Sequence, residues 1–209
     1  MSQAQFWSDR YSSVGEQYLF GVEPNYYLKL HRDLIVSNGK SALVVADGEG
    51  RNSVWLSEQG LNVTACDISP VAIEKARKLS VSRQVHSEFI CEDMLSEKFS
   101  EMHLERQFDW VIGIFIQFTS PEERVKQFNL MKDLTCTGGR ILLQGYTPKQ
   151  LEYKTGGPPN LENLYTAEIL RAEFEDWEIE ELTEYEDVIC EGVGHNGISA
   201  LVGMIAKKR

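Results

Sequence analysis

Residues 41–69 read SALVVADGEGRNSVWLSEQGLNVTACDIS. An apolar run enters a glycine turn, a helical stretch follows, and a second apolar run ends on Asp67. This is the outline of a βαβ unit whose first turn receives an adenosine-containing ligand. Gly48 and Gly50 supply the backbone angles such a turn needs and let a ligand come close to the main chain. Asp67 stands at the end of the second strand, where a carboxylate can accept both hydroxyls of a ribose. Asp93, in ICEDM, follows the next apolar run and is placed to accept from the exocyclic amine of an adenine. The other reading is a stray glycine turn with unrelated acids nearby.

The loop excludes two ligand classes. The dinucleotide fingerprint GxGxxG would need a third glycine where Ser53 stands, and no GK[ST] follows to make a phosphate loop. A cofactor without phosphates is therefore expected.

Outward from this unit, short apolar runs alternate with amphipathic segments, the pattern of a mainly parallel α/β sheet. Strands are expected at 41–46, 61–66, 85–90, 108–115 and 139–145. An acidic strand at 177–190 and an apolar one at 198–206 have no helix between them and should form an antiparallel hairpin, giving seven strands. Ser69–Pro70 and Ser120–Pro121–Glu122–Glu123 are helix starts, and Thr166 can cap a later helix. Thr135 to Gly139 should end one helix and turn into the next strand. Two helices are expected before the first strand, at 3–13 and 24–36. Residues 146–165, with Gly156, Gly157, Pro158 and Pro159, form a long irregular stretch of the kind that serves function or moves.

Composition sets the boundaries. At 209 residues, 42% apolar and 25% charged, the chain is expected to be one domain with a sizeable core. The net charge of −11 is uneven, with eleven acids against Arg171 alone between Glu168 and Glu191. A solvated acidic face is the expectation there, and such a surface repels nucleic-acid backbones. Four scattered cysteines, without a CxxC pair, argue against a zinc site or a disulfide framework and suit a reducing compartment. The N-terminus lacks a signal-peptide pattern, and the longest apolar run is too short to cross a bilayer. A cytoplasmic protein is expected, with its oligomeric state open.

These residues resemble the class I S-adenosylmethionine-dependent methyltransferases, and within them the tellurite-resistance (TehB-like) branch. FWSDRY and FGVEPN look like an N-terminal helical lid over the cofactor (residues 1–36). GEGRNSVWLSEQG and VTACDISPVAIEKA resemble the family's first motif and the segment after it. FDWVIGIF, LTCTGGRILLQGYTP and EGVGHNGISALVGMIAKK resemble its fourth strand, fifth strand and C-terminal hairpin. The resemblance implies a Rossmann-like α/β fold with helices on both faces of the sheet, and S-adenosyl-L-methionine as cofactor.

Carried over residue by residue, Gly48 and Gly50 would face the methionine portion and Asp67 would hold the ribose. Ile68 would pack on adenine, Asp93 and Met94 would flank it, and Ile114 and Phe115 would close the floor. Trp7 would cover the site and Arg10 would pair with the cofactor carboxylate; a core aromatic and a surface charge are the alternatives. Two positions depart from the pattern. Val44 stands where the family's acid is expected and Ala46 where its first glycine is, and Asp47 should point to the other face of the turn.

On the acceptor side the candidates are Phe115, Gln117, Gln144, Tyr146, Tyr153 of the 146–165 loop and His195 in EGVGHNG. His195, flanked by Gly194 and Gly197, would act as base or acceptor anchor; a solvated turn histidine is the alternative. Tyr146 is the second catalytic candidate. Gln117 replaces a histidine found there in many relatives, while His31, His86 and His103 read as structural. No metal is expected, and the methyl acceptor should be a small molecule. A non-catalytic cofactor sensor and a nicotinamide-dependent oxidoreductase are the competing functions.

Overall fold

The structure is a computed structural model that describes residues 2–103 and 105–209, apart from the side chains of residues 102 and 103. His103's side chain thus lies outside what is described. Seven strands form one sheet: β1 (Ser41–Val45), β2 (Asn62–Asp67), β3 (Glu88–Cys91), β4 (Phe108–Ile114), β5 (Thr135–Tyr146), β6 (Glu178–Glu191) and β7 (His195–Lys207). Their spatial order is β3-β2-β1-β4-β5-β7-β6. The first five pair in parallel, whereas β7 runs antiparallel between β5 and β6, with Leu142 opposite Ile205 and Ile189 opposite Gly197. The expected sheet and terminal hairpin are both present.

Continuous apolar strands reflect coverage on both faces. On one face Leu43, Val45, Val111 and Leu143 pack with Phe128 and Met131 of α7 (Pro121–Asp133) and Phe174 beyond α9 (Ala167–Glu173). The opposite face joins Val44, Trp110 and Ile112 to Leu28 of α2 (Tyr26–Leu30), Ile35 of α3 (Arg32–Ser37) and Leu56 of α4 (Arg51–Glu58). Trp110 is fully buried on this side, with Ala42 and Arg140 opposite it on the neighbouring strands.

The helix signals translate into bonds. Ser69 caps α5 (Pro70–Ser82) through Ala72 N–H at 3.2 Å, and Ser120 with Glu123 completes a reciprocal capping box on α7. Thr166 caps α9. Helix α1 spans Gln3–Ser12. The single helix expected at 24–36 is two, α2 and α3, because His31 leaves helical geometry and its ring bridges Tyr27 O and Glu181, each at 2.9 Å. A further helix, α6 (Glu97–His103), has no counterpart in the sequence reading. Strand β5 begins at Thr135, four residues earlier than expected, since Thr135 already pairs with Phe108 before the register shifts.

The irregular stretch after β5 is tied down. It holds α8 (Gln150–Tyr153) and a short 3-10 turn at Leu161–Asn163. Buried Gln150 donates to Thr155 Oγ1 and Gly156 O and accepts from Ala200 N–H. The acidic strand β6 is also more than a solvated face. Arg140 clamps Glu180 with two bonds, and Glu181 accepts from Tyr27. Among the described residues no helix is long and apolar enough to cross a membrane.

Candidate functional site

The turn after β1 carries three left-handed residues, Ala46 (φ 48°), Gly48 (φ 64°) and Gly50 (φ 89°). A side chain in this region costs roughly 1–2 kcal/mol, so Ala46 holds strain that a glycine would not. What holds the turn is Asp67. Its Oδ2 accepts Gly48 N–H and its Oδ1 accepts Ser69 N–H, both at 2.9 Å. The two glycines have different tasks. A Cβ on Gly48 would stand 2.7 Å from Tyr11 Oη, so this residue admits the N-terminal helix over the turn. On Gly50 it would stand 2.7 Å from Ala76 Cβ of α5. Gly50 is a packing glycine outside the cavity described below, not a cofactor-facing one as the sequence reading has it.

The residues that follow were given no role from sequence, and each has a partner. Glu49 Oε1 pairs with buried Lys75 at 2.9 Å, while its Oε2 accepts Leu19 N–H at 2.7 Å. Arg51 Nη2 donates to Glu191 Oε2 at 2.7 Å. Asn52 Oδ1 accepts Asn25 N–H at 2.9 Å, and Ser53 donates to Asp47. GEGRNS therefore fastens the turn to the N-terminal segment and to the hairpin. The signal was present in the sequence as a run of polar residues on a helix start that the structure buries.

Above the carboxyl ends of β1, β2, β4 and β5 lies a cavity of about 510 Å³, within the size range of small-molecule sites. One end is acidic. Asp47, Asp67 and Asp93 line it, with Ile68, Met94 and Ile114 as apolar walls. Asp93 fixes its own loop by accepting Leu95 N–H at 2.9 Å. Trp7 and Arg10 of α1 close the same end, the guanidinium lying 5.1 Å from the indole centre. Asp47 faces this cavity, contrary to the expectation that it turns away, and its buried Oδ1 has no hydrogen-bond partner. It brings a carboxylate to the cavity wall where Val44 brings none.

Burial pushes the Asp47 carboxyl up to about 7; Ser53 opposes this and Asp67 adds to it. Burial likewise lifts Asp67 to about 6 against the bonds from Ser69 and Gly48. Both folded values exceed the ordinary 3.8, so the folded protein holds these protons more tightly than the unfolded chain. The stability they contribute is full below about pH 4 and is lost as pH rises toward 7. Asp47→Asn should make the decline in urea-unfolding stability between pH 5 and 8 shallower, leaving the smaller part due to Asp67. An unchanged slope would place the titration on another group.

The other end is aromatic. Phe115 sits in a left-handed conformation (φ 57°) directly after β4, its N–H held by Gln144 O at 2.8 Å. Its ring stacks on Tyr146 at 4.6 Å and meets His195 edge-on at 4.7 Å. Phe20 covers His195 from the N-terminal segment at 4.4 Å. This closeness depends on Gly194, where a Cβ would stand 2.3 Å from the Phe20 ring. His195 is thus a half-buried residue of the cavity wall with a buried Nδ1, not a solvated turn histidine, and that nitrogen lies 3.8 Å from Glu191 Oε2. Burial, with Arg51, lowers its pKa from 6.5 even though Glu191 pulls the other way. Burial would raise Glu191, but His195 and Arg51 outweigh it and hold it at about 2. Tyr146, buried and beside Glu191, is pushed well above its usual range and stays protonated.

Three acceptor-side candidates do other work. Gln117 reaches the cavity, but both ends of its amide are bound to the Tyr146 backbone, Nε2 to O at 2.8 Å and Oε1 from N–H at 2.6 Å. It positions the end of β5. Gln144 bridges Asn25 and Tyr185, and half-buried Tyr153 bonds Glu186; neither lines the cavity.

Residues 42–139 match the family described as "Methyltransferase domain". A protein solved in work on the conversion of a disulfide bond into a thioacetal group during echinomycin biosynthesis superposes with a TM-score of 0.77 at 19% identity, over 99% of this chain and 92% of that one. TehB from Haemophilus influenzae gives 0.69 at 19% identity, over 88% of this chain and 62% of its own. Magnesium protoporphyrin IX methyltransferase from Synechocystis PCC 6803, with bound S-adenosylhomocysteine, gives 0.69 at 17% identity with both chains fully covered. At these identities the structural likeness speaks for the fold. No curated protein gives a significant sequence match. The nicotinamide reading finds no support in these matches. The sheet order and the matched segment together give the chain the Rossmann-like methyltransferase fold, with residues 42–139 similar to a methyltransferase domain.

Proposed function

We propose that the protein methylates a small molecule that enters the aromatic end of the cavity while S-adenosylmethionine occupies the acidic end. The observation that carries this is one cavity with two chemically distinct ends under a common roof. Residues from α1, from Gly156–Asn160 and from the β6–β7 turn all line it. A roof from three segments favours a small acceptor over a macromolecule.

The residues present fit a cationic cofactor. Asp47 Oδ1, buried and unpartnered, suits its ammonium, and the Gly48 backbone, free of a Cβ, allows close approach of the methionine portion. Asp67 takes the ribose hydroxyls and Asp93 the adenine amine, with Ile68 and Met94 against the base and Ile114 and Phe115 beneath. Arg10 takes the cofactor carboxylate and Trp7 covers it, so residues 1–36 act as the lid. When bound, S-adenosylmethionine supplies an electrophilic methyl group on a sulfonium. The protein's part is alignment. Phe115 and Tyr146 orient the acceptor, and His195, uncharged at neutral pH, takes the proton of an acceptor that arrives as an alcohol or thiol. Glu191 steadies the imidazolium that results.

The TehB-like branch is part of the proposal, supported by GEGRNSVWL and by His195 in the hairpin turn. A reducing, cytoplasmic setting is supported by four cysteines that are all free thiols. Against the sensor alternative, which rests on Val44 and Ala46, stands the carboxylate of Asp47 in the cavity. Calorimetric titration should show one site for S-adenosylmethionine and one for S-adenosylhomocysteine. Absence of heat from both with a folded sample would overturn the reading.

A further inference from the structure

The acceptor end holds buried polar atoms with unspent hydrogen-bonding capacity. Arg51 is 6% exposed and Tyr146 1% exposed, and both line the cavity. Arg51 Nη2 is taken by Glu191, but Arg51 Nη1, Tyr146 Oη and His195 Nδ1 have no hydrogen-bond partner among the described residues. Native structures rarely leave such a group buried and unpaired, so three at one end of a cavity point to a ligand that completes them. Arg51 Nη1 can only donate, and so does a protonated tyrosine facing an acceptor atom.

The two donors ask for oxygen acceptors, and their surroundings say what carries those oxygens. Phe115 stacks on Tyr146, Phe20 leans against His195, and Pro158 and Pro159 line the cavity as well. A bare inorganic anion would waste this apolar surface. Arg51 spends only Nη2 on Glu191, so its Nη1 is left to receive an acid at this end of the cavity.

We propose that this end of the cavity is a subsite for a small, flat organic acid, its carboxylate held by Arg51 Nη1 and Tyr146 Oη and its body lying against Phe115. The subsite rests on the methyltransferase reading only for its role as acceptor site. An acceptor of this class carries its nucleophilic hydroxyl or thiol on the body, within reach of His195, and the carboxylate sets its orientation. Arg51 is then a specificity residue that also ties the turn after β1 to the hairpin.

Benzoate is the minimal probe, and benzamide is its neutral isostere. Titrated into protein saturated with S-adenosylhomocysteine, benzoate should bind at least tenfold more tightly than benzamide. Tyr146→Phe, which keeps the stacked ring, should weaken benzoate at least threefold while leaving S-adenosylhomocysteine within twofold. Arg51→Lys should weaken benzoate by a similar factor. Equal binding of acid and amide, no binding of either, or indifference of benzoate to Tyr146→Phe would overturn the proposal. So would an Arg51→Lys variant that loses S-adenosylhomocysteine but not benzoate, which would assign the guanidinium to the cofactor. Should the wild-type protein bind no S-adenosylhomocysteine, the methyltransferase reading fails by itself, and the same acid–amide comparison on the free protein decides the subsite.

Discussion

Lys75→Met should destabilise the protein by about 3–5 kcal/mol, the usual cost of breaking a buried ion pair from one side. The ammonium donates to Tyr11 O and Gln17 O, both at 2.7 Å, and to Glu49 Oε1 at 2.9 Å. Both partners are buried, Lys75 at 7% exposure and Glu49 at 3%. Without the cation, Glu49 keeps only the Leu19 N–H inside the protein, and the two carbonyls lose their donor. The midpoint of urea unfolding reports the global loss. Amide exchange over residues 11–20 should rise as well, because this one side chain holds the segment that crosses the cofactor turn. A loss under 1 kcal/mol would mean that the pair is hydrated and that the N-terminal segment is held elsewhere.

Asp67→Ala is expected to weaken S-adenosylmethionine at least tenfold, or about 1.4 kcal/mol, and to lower stability by about 1–3 kcal/mol besides. The second effect arises because the carboxylate is a strut before any ligand binds. Its two oxygens accept Gly48 N–H and Ser69 N–H, joining the turn after β1 to the start of α5. Asp67→Asn separates the roles: the amide oxygen keeps one backbone bond, but its nitrogen cannot accept a ribose hydroxyl. Calorimetry on the folded variants should rank wild type, Asn, then Ala. Unchanged affinity in both variants would move the ribose away from β2.

The strands were legible because apolar runs covered on two faces leave a strong trace, and the helix caps because Ser69 and Ser120 act within their own turn. Position in the sheet was legible too, for Asp67 and Asp93 follow successive parallel strands. Side-chain direction in the turn was not. With Ala46 at positive φ, the chain rotates Asp47 into the cavity, and no spacing rule for an all-glycine turn anticipates that. Nor do local patterns show partners remote in sequence, such as Glu191 for Arg51 or Lys75 for Glu49. Gln144 and Tyr153 were plausible because they follow a strand end or sit in a loop. Their directions depend on Asn25, Tyr185 and Glu186, which only the folded chain brings near.

The crossing of the N-terminal segment with the hairpin turn bears on how the protein is made. Leu19 O accepts Val193 N–H at 3.0 Å and Gly194 N–H at 3.1 Å, and a Cβ on Gly192 would stand 2.4 Å from that same oxygen. These bonds join stretches separated by nearly all of the sequence. A ribosome-bound chain that has emerged only through β5 already owns the turn after β1, Asp67 and Asp93, yet it has no hairpin for residues 18–21 to lie against. The wall that Phe20 and His195 share is therefore completed only once β6 and β7 have paired, later than the turn that Asp67 braces.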